Sequence, residues 1–246
     1  TSGFWRQFVV RVRVLKEQAS FDAYLTRPLS QTRTDFVFVA YSDPDRSELL
    51  CFPREENAFS VSLVHQGCIQ FIRAFVANCP VWIREGVATA LEAAVWDPRS
   101  STYSPRSHLA WLDDLKAIIR RQRSQKLIPL RELFLSTREL AQAQPEVFYP
   151  QSWGMVHFLL SSPDKKHNRM LWDAIAAIDP KSPLEENSQR VRARAFSWVS
   201  EASLARDFES YISSLRTAAE WLGMGMDAYA RGEMKVQMTI APFSKN

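Results

Sequence analysis

The sequence predicts an α+β fold, predominantly α-helical, with its strands gathered toward the amino-terminal end. Three observations carry that prediction. Residues 8–15 alternate, with Val10, Val12 and Val14 on one side and Arg11 and Arg13 on the other, which is the period of a half-buried strand. After about residue 56 the apolar spacing becomes helical: Val61, Val64, Cys68, Ile72 and Phe75 fall on one stripe, with His65 and Ile69 beside it. The chain has only seven glycines in 246 residues and no low-complexity stretch, as expected of a packed, helix-rich body.

Each element follows from local chemistry. After the first strand, Ser20 is positioned to cap a short helix through Leu25, which Pro28 stops. Residues 35–41 read as a second strand and residues 48–52 as a third. The turn residues Ser42, Asp43, Pro44 and Asp45 between them predict a hairpin. The striped helix comes next. Pro80 then opens a helix over about residues 81–96. Further helices are expected at about 107–123, 148–161, 166–178 and 201–222. Residues 128–133 read as a connector entering a helical turn, and residues 234–240 alternate like a strand. The expected organisation is one integrated domain in three parts. Residues 1–56 form a small sheet with a helix, residues 57–98 a two-helix core, and residues 99–246 a helical part.

Composition narrows the function. A chain that is 46% hydrophobic and 12% aromatic builds a core, which excludes long disorder. A net charge of +4 alone names no partner. The basic clusters Arg120, Arg121, Arg123 and Arg190, Arg192, Arg194 read as solvated faces. No aromatic-interleaved strand or nucleic-acid motif accompanies them, so no nucleic-acid partner is expected, and binding of an anionic surface is the weakest reading. No apolar run approaches the ~20 residues that span a bilayer, so no transmembrane segment is expected. Because the chain opens on Thr1 rather than Met, loss of a leader or an earlier segment is expected. The three cysteines, Cys51, Cys68 and Cys79, make no framework.

The chemistry concentrates in residues 65–92. There His65, Gln66, Gly67, Cys68, Ile69 and Gln70 are followed by Pro80, Val81, Trp82, Ile83, Arg84, Glu85, Gly86, Val87 and Ala88, then Glu92. A zinc-peptidase helix of the HExxH type places two His at i and i+4 on one face, with the intervening Glu as general base. Here only the first His is present. A later segment, residues 149–159, reads Tyr, Pro, Gln, Ser, Trp, Gly, Met, Val, His, Phe, Leu.

Taken in order, the alternating strand, the helix containing Phe21 to Leu25, the hairpin, the His65 helix, the helix of Trp82, Glu85 and Gly86, and the 149–159 segment resemble the gluzincin, peptidase-MA-like family of uncharacterised bacterial proteins. The resemblance covers roughly residues 8–215. It implies a thermolysin-like (zincin) domain with a small N-terminal mixed sheet over two active-site helices and a helical C-terminal part forming the far wall of a cleft. It implies that His65 holds the first zinc-ligand position and Glu85 the third. Gln66 then stands where the base belongs and Ile69 where the second His belongs. Gln70 matches the Gln that often follows that His, and Glu92 matches a second acidic position. With the absent leader, it also implies an extracytoplasmic setting, secreted or in the cell envelope.

The departures from the pattern change the expected function. A carboxamide cannot take a proton from water, and loss of a general base removes roughly 10²–10⁴ in rate. Ile69 cannot coordinate, and catalytic zinc ordinarily has three protein ligands plus water. The expectation is therefore a non-catalytic pseudo-metallopeptidase without a cofactor, whose cleft holds a peptide segment or a partner protein, or which serves as a scaffold. The alternative is an active zinc peptidase using His65, Cys68 and Glu85. Cys68 is one turn from His65, and thiolate binds zinc strongly; against this, Cys68 reads as a small core residue. Without metal, a direct His65–Glu85 hydrogen bond is expected. The cleft candidates are Ile69, Gln70, Glu92, Tyr149 and Trp153, of which Tyr149 can bond a peptide carbonyl. Trp82, Trp153 and His157 read first as packing residues, and His108 and His167 as surface residues.

Overall fold

The computed structural model describes residues 11–29, 35–41, 46–97, 99, 102–104, 109–122, 124–217, 219–220 and 222–224. The turn at 42–45, His108, the start of the first strand and the expected strand at 234–240 lie outside the described residues.

Three strands precede residue 56, as the change of period predicts, and two more follow within residues 95–104. A mixed sheet has the order β1 (Val12–Val14), β3 (Glu48–Cys51), β2 (Val37–Val39). The central strand β3 is parallel to β1 and antiparallel to β2, with Val12 opposite Leu49 and Phe38 opposite the same residue. The four residues of β3 are all buried, as a central strand covered on both faces requires. On one face α1 (Gln18–Leu29) lays Tyr24 over the sheet, its hydroxyl bonded to Glu48 at 2.5 Å. Glu48 also receives Arg13 Nε at 2.8 Å. Phe21, Leu25, Phe36, Leu49, Leu50 and Phe52 form the core of this part.

Two expectations fail here. The valines of β1 are exposed, Val12 at 44% and Val14 at 62%, and so is Arg13, whose side chain is 45% exposed where it reaches Glu48. All three residues of this edge strand are exposed, so alternation named a buried side that Val12–Val14 does not have. Ser20 does not cap α1. The helix starts at Gln18, with Phe21 N–H bonded to Glu17 C=O, and runs one residue past Pro28.

The helical part begins with an antiparallel hairpin of α2 (Glu56–Phe75) and α3 (Val81–Glu92). The buried face of α2 is offset from the expected stripe: Val64 and Phe75 are exposed, whereas Ser62, Ile69 and Gln70 are buried. The helix expected to run to residue 96 ends at Glu92. Val95–Asp97 instead pairs as β4 with β5 (Thr102–Ser104), with Trp96 opposite Tyr103. A β-branched residue and an aromatic ahead of Asp97 and Pro98 suit a strand and turn better than a last helical turn.

Then come α4 (Leu109–Ile119), α5 (Leu130–Phe134), α6 (Arg138–Ala143), α7 (Pro145–Ser161), α8 (Lys165–Ala176), α9 (Leu184–Val191), a π-helical turn (Arg192–Phe196) and α10 (Glu201–Ser214). The short α6 and α9 were not foreseen. Polar α9 is held by Asn187, whose side chain bonds the carbonyls of Asn78, Asp179 and Ser182.

Helix α7 is the axle of this part. Residues 150–159 are all buried, so it is apolar on every side, the pattern of a central helix. It packs closely on α3 because Gly86 has no side chain. A Cβ there would lie 2.4 Å from the Ser152 carbonyl oxygen and 2.7 Å from Val156 Cγ2. Gln151, fully buried, clamps the connector before α5 by bonding both the N–H and the C=O of Ile128, at 2.8 and 2.7 Å. The large core therefore joins α3, α4, α5, α7, α8 and α10, and the sheet has its own smaller core. The α2–α3 hairpin links the two. Among the described residues no helix is long and apolar enough to cross a membrane.

Candidate functional site

A cleft of about 620 Å³ opens between the two cores. Strand β2 and the residues before it form one side, α2 and α3 the floor, and α4, α6 and α7 the far wall. Helical spacing explains which side chains reach it. On α2, Val61, His65, Ile69 and Arg73 recur every four residues, with Ser62 and Gln66 beside them. On α3, Val81, Glu85, Thr89 and Glu92 repeat at four and three, with Arg84 beside Glu85. Trp111, Arg138, Ala141, Gln142 and Tyr149 face them across the gap.

His65 sits at the centre of the hairpin. Its Nε2 lies 3.3 Å from Glu85 Oε2, and its Nδ1 is bonded to Glu92 Oε1. The three side chains are mostly buried, 17%, 13% and 11% exposed. Burial alone would lower the imidazole pKa. The hydrogen bonds to Glu85 and Glu92 and their charges outweigh it and raise the value to about 9. Burial pushes Glu85 up, but its bonds with His65 and Arg84 hold it below the ordinary carboxylate range. Arg84 grips the same carboxylate, Nε to Oε1 at 3.0 Å and Nη2 to Oε1 at 2.8 Å. At neutral pH the centre is thus an imidazolium between carboxylates.

This arrangement does not fit zinc. The carboxylates occupy the two ring nitrogens, which point to opposite edges of the imidazole, so the three groups do not converge on one ion. Cys68 does not line the cleft, and burial, helped by the Glu85 charge, pushes its thiol up to about 12, away from the thiolate that binds metal. Among the described residues no group of three His, Cys, Asp or Glu side chains is placed to hold a metal ion. Cys51, Cys68 and Cys79 are all free thiols.

The other expected residues divide. Ile69, Gln66, Glu92 and Tyr149 line the cleft. Gln70 does not: it is buried, its Nε2 reaches Arg11 C=O at 3.4 Å, and it faces the sheet. Trp153 is fully buried against His157, and Trp82 packs with Phe134 and Phe196. His157 is a core residue bonded to the Tyr211 hydroxyl at 2.9 Å. His167 is not on the surface. It is 4% exposed, with Nδ1 2.8 Å from Ser162 Oγ and Nε2 3.3 Å from Asp207 Oδ2. These three residue types match a hydrolytic triad, but the second contact lacks hydrogen-bond geometry and none of the three lines the cleft. They close the α7–α8 corner, where Asp164 caps α8.

Sequence reading missed the arginines. Arg73 repeats the four-residue step from His65 and Ile69, so the spacing held that signal. Arg84 and Arg138 reach the cleft from other elements, which no local pattern reveals. Compared with known proteins, the chain matches no family model, no curated protein and no solved structure.

Proposed function

We propose that this chain is a pseudo-metallopeptidase, a thermolysin-like domain of gluzincin type whose cleft binds an extended peptide without cleaving it. The observation that carries the reading is the cleft itself, floored by the α2–α3 hairpin and flanked by strand β2 at the sheet edge. An edge strand offers unpaired backbone groups to an added strand, and the neighbouring Phe38, Val61 and Trp111 offer apolar contact for its side chains. The antiparallel setting of β2 beside a helix pair suits a zincin-type frame. The reaction is missing at three points. Gln66 has no basic atom, Ile69 has no donor, and the His65 imidazole carries its proton between Glu85 and Glu92.

Panning the chain against displayed random heptapeptides, then measuring deuterium uptake with the best binder, tests the reading. Slower exchange in residues 36–39 and on the cleft face of α2 is the expected result. Binders that leave both segments unchanged would sink peptide binding in this cleft. Casein cleavage that Glu85→Ala abolishes would overturn the non-catalytic half.

A further inference from the structure

The cleft is not electrically uniform. Its middle holds His65 with Glu85 and Glu92, whereas toward the C-terminal end of α2 the charged side chains facing it are Arg73, Arg84 and Arg138. They come from three elements: Arg73 from the last turn of α2, Arg84 from the first turn of α3, and Arg138 from the start of α6. Arg84 is buried to 6% exposure and spends two of its donors on Glu85. Arg73 is half-buried and rests over the Phe38 ring, 5.9 Å from its centroid. No hydrogen bond or ion pair ties it down among the described residues. Burial first, then Arg138 and Arg84, lowers its pKa to about 10, so the like charges feel one another. A half-buried guanidinium beside a cavity is costly unless an anion meets it, and Arg73 is so placed, whereas Arg84 is already met by Glu85 and Arg138 is exposed.

We propose that this basic end of the cleft, Arg73 with Arg84 and Arg138, seats the free C-terminal carboxylate of the bound peptide. The assignment rests on the peptide-binding reading above. The planar guanidinium fork matches a carboxylate in two-point contact. Arg73 and His65 are eight positions apart on one helix face, about 12 Å along the axis. An extended peptide covers that length in roughly four residues. The terminal residue therefore sits between Arg73 and α6, and the fourth residue from the end lies over His65. A lone inorganic anion would use the arginines but not the apolar stretch along β2, so a peptide terminus uses more of the cavity.

The test uses bead-displayed random heptapeptides in two forms, free acid and C-terminal amide, probed with the labelled chain. A charge-assisted contact of this kind predicts that acids bind roughly 10–100-fold tighter than matched amides. Arg73→Gln should bring that ratio near one while amide binding stays as it was. Arg73→Lys should keep part of the preference, and Arg169→Gln, which removes an exposed charge elsewhere, should keep all of it. Equal binding of acids and amides would overturn the carboxylate seat while leaving peptide binding intact. Binding of neither form would overturn both. Inorganic phosphate that displaces acids and amides equally would also overturn the seat, since the arginines would then hold no terminus.

Discussion

Across the α2–α3 hairpin, His65 Nε2 lies 3.3 Å from Glu85 Oε2, so the imidazole of one helix is tied to a carboxylate of the next. Glu92 takes the other nitrogen, and the imidazolium becomes the link between the two helices.

That link makes stability depend on pH in a stated direction. The folded pKa of His65, about 9, lies above its ordinary 6.5. Its contribution is fully present below about pH 6.5 and is lost as pH rises through 9. Glu85, held low, contributes above its ordinary 4.5 and loses that contribution as pH falls through its depressed value. The difference in urea unfolding energy between the native chain and His65→Gln should shrink by roughly 2–3 kcal/mol between pH 6.5 and 10. A constant difference over that range would show that the ring is not clamped as an imidazolium.

Gly86→Ala should destabilise the fold by about 1–3 kcal/mol or more, because the added carbon meets the Ser152 backbone and no side-chain rotation relieves it. Thermal unfolding of the variant checks this. An unchanged midpoint would mean that α3 and α7 are not in close contact.

Rebuilding the lost positions tests the register of the hairpin. Gln66→Glu with Ile69→His should create a zinc site with His65 and Glu85, since Ile69 lines the same cleft one turn on. Calorimetry should register stoichiometric zinc for the double variant and none for Gln66→Glu alone. Failure of the double variant to bind would place Ile69 off the face that His65 shares.

Gln151→Leu should cost about 2–4 kcal/mol, because it strands the N–H and C=O of Ile128 in the core. A loss in chemical unfolding of under 0.5 kcal/mol, by contrast, would mean that water reaches the connector.

The helix pair was legible because its signals are local. Pro80 marks a start, and His65 and Ile69 stand four positions apart, one helical turn. The three strands before residue 56 were legible in place but not in facing, and the pair β4 and β5 was not legible at all. Val12 and Val14 look like core, yet β1 is an outer strand and both are exposed, as is Arg13 beside them, which bonds Glu48 35 residues away in sequence. His167 failed for the same reason: its polar neighbours in sequence are not its neighbours in space, where Phe158 covers its ring at 4.4 Å. The cleft was legible as an idea and its arginines were not, since Arg138 joins Arg73 only through the packing of α6. Long-range pairing decides what local pattern leaves undetermined.

The Gly86 contact makes the two jaws of the cleft mechanically unequal. The jaw built on α3 is bolted to α7 at backbone distance and has no room to slide. The opposite jaw, α2 with the sheet, keeps Val64, Phe71 and Phe75 on its outside and joins α3 through residues 76–80. The two sides are therefore held by different means, backbone contact behind α3 and the charged His65 link between α3 and α2.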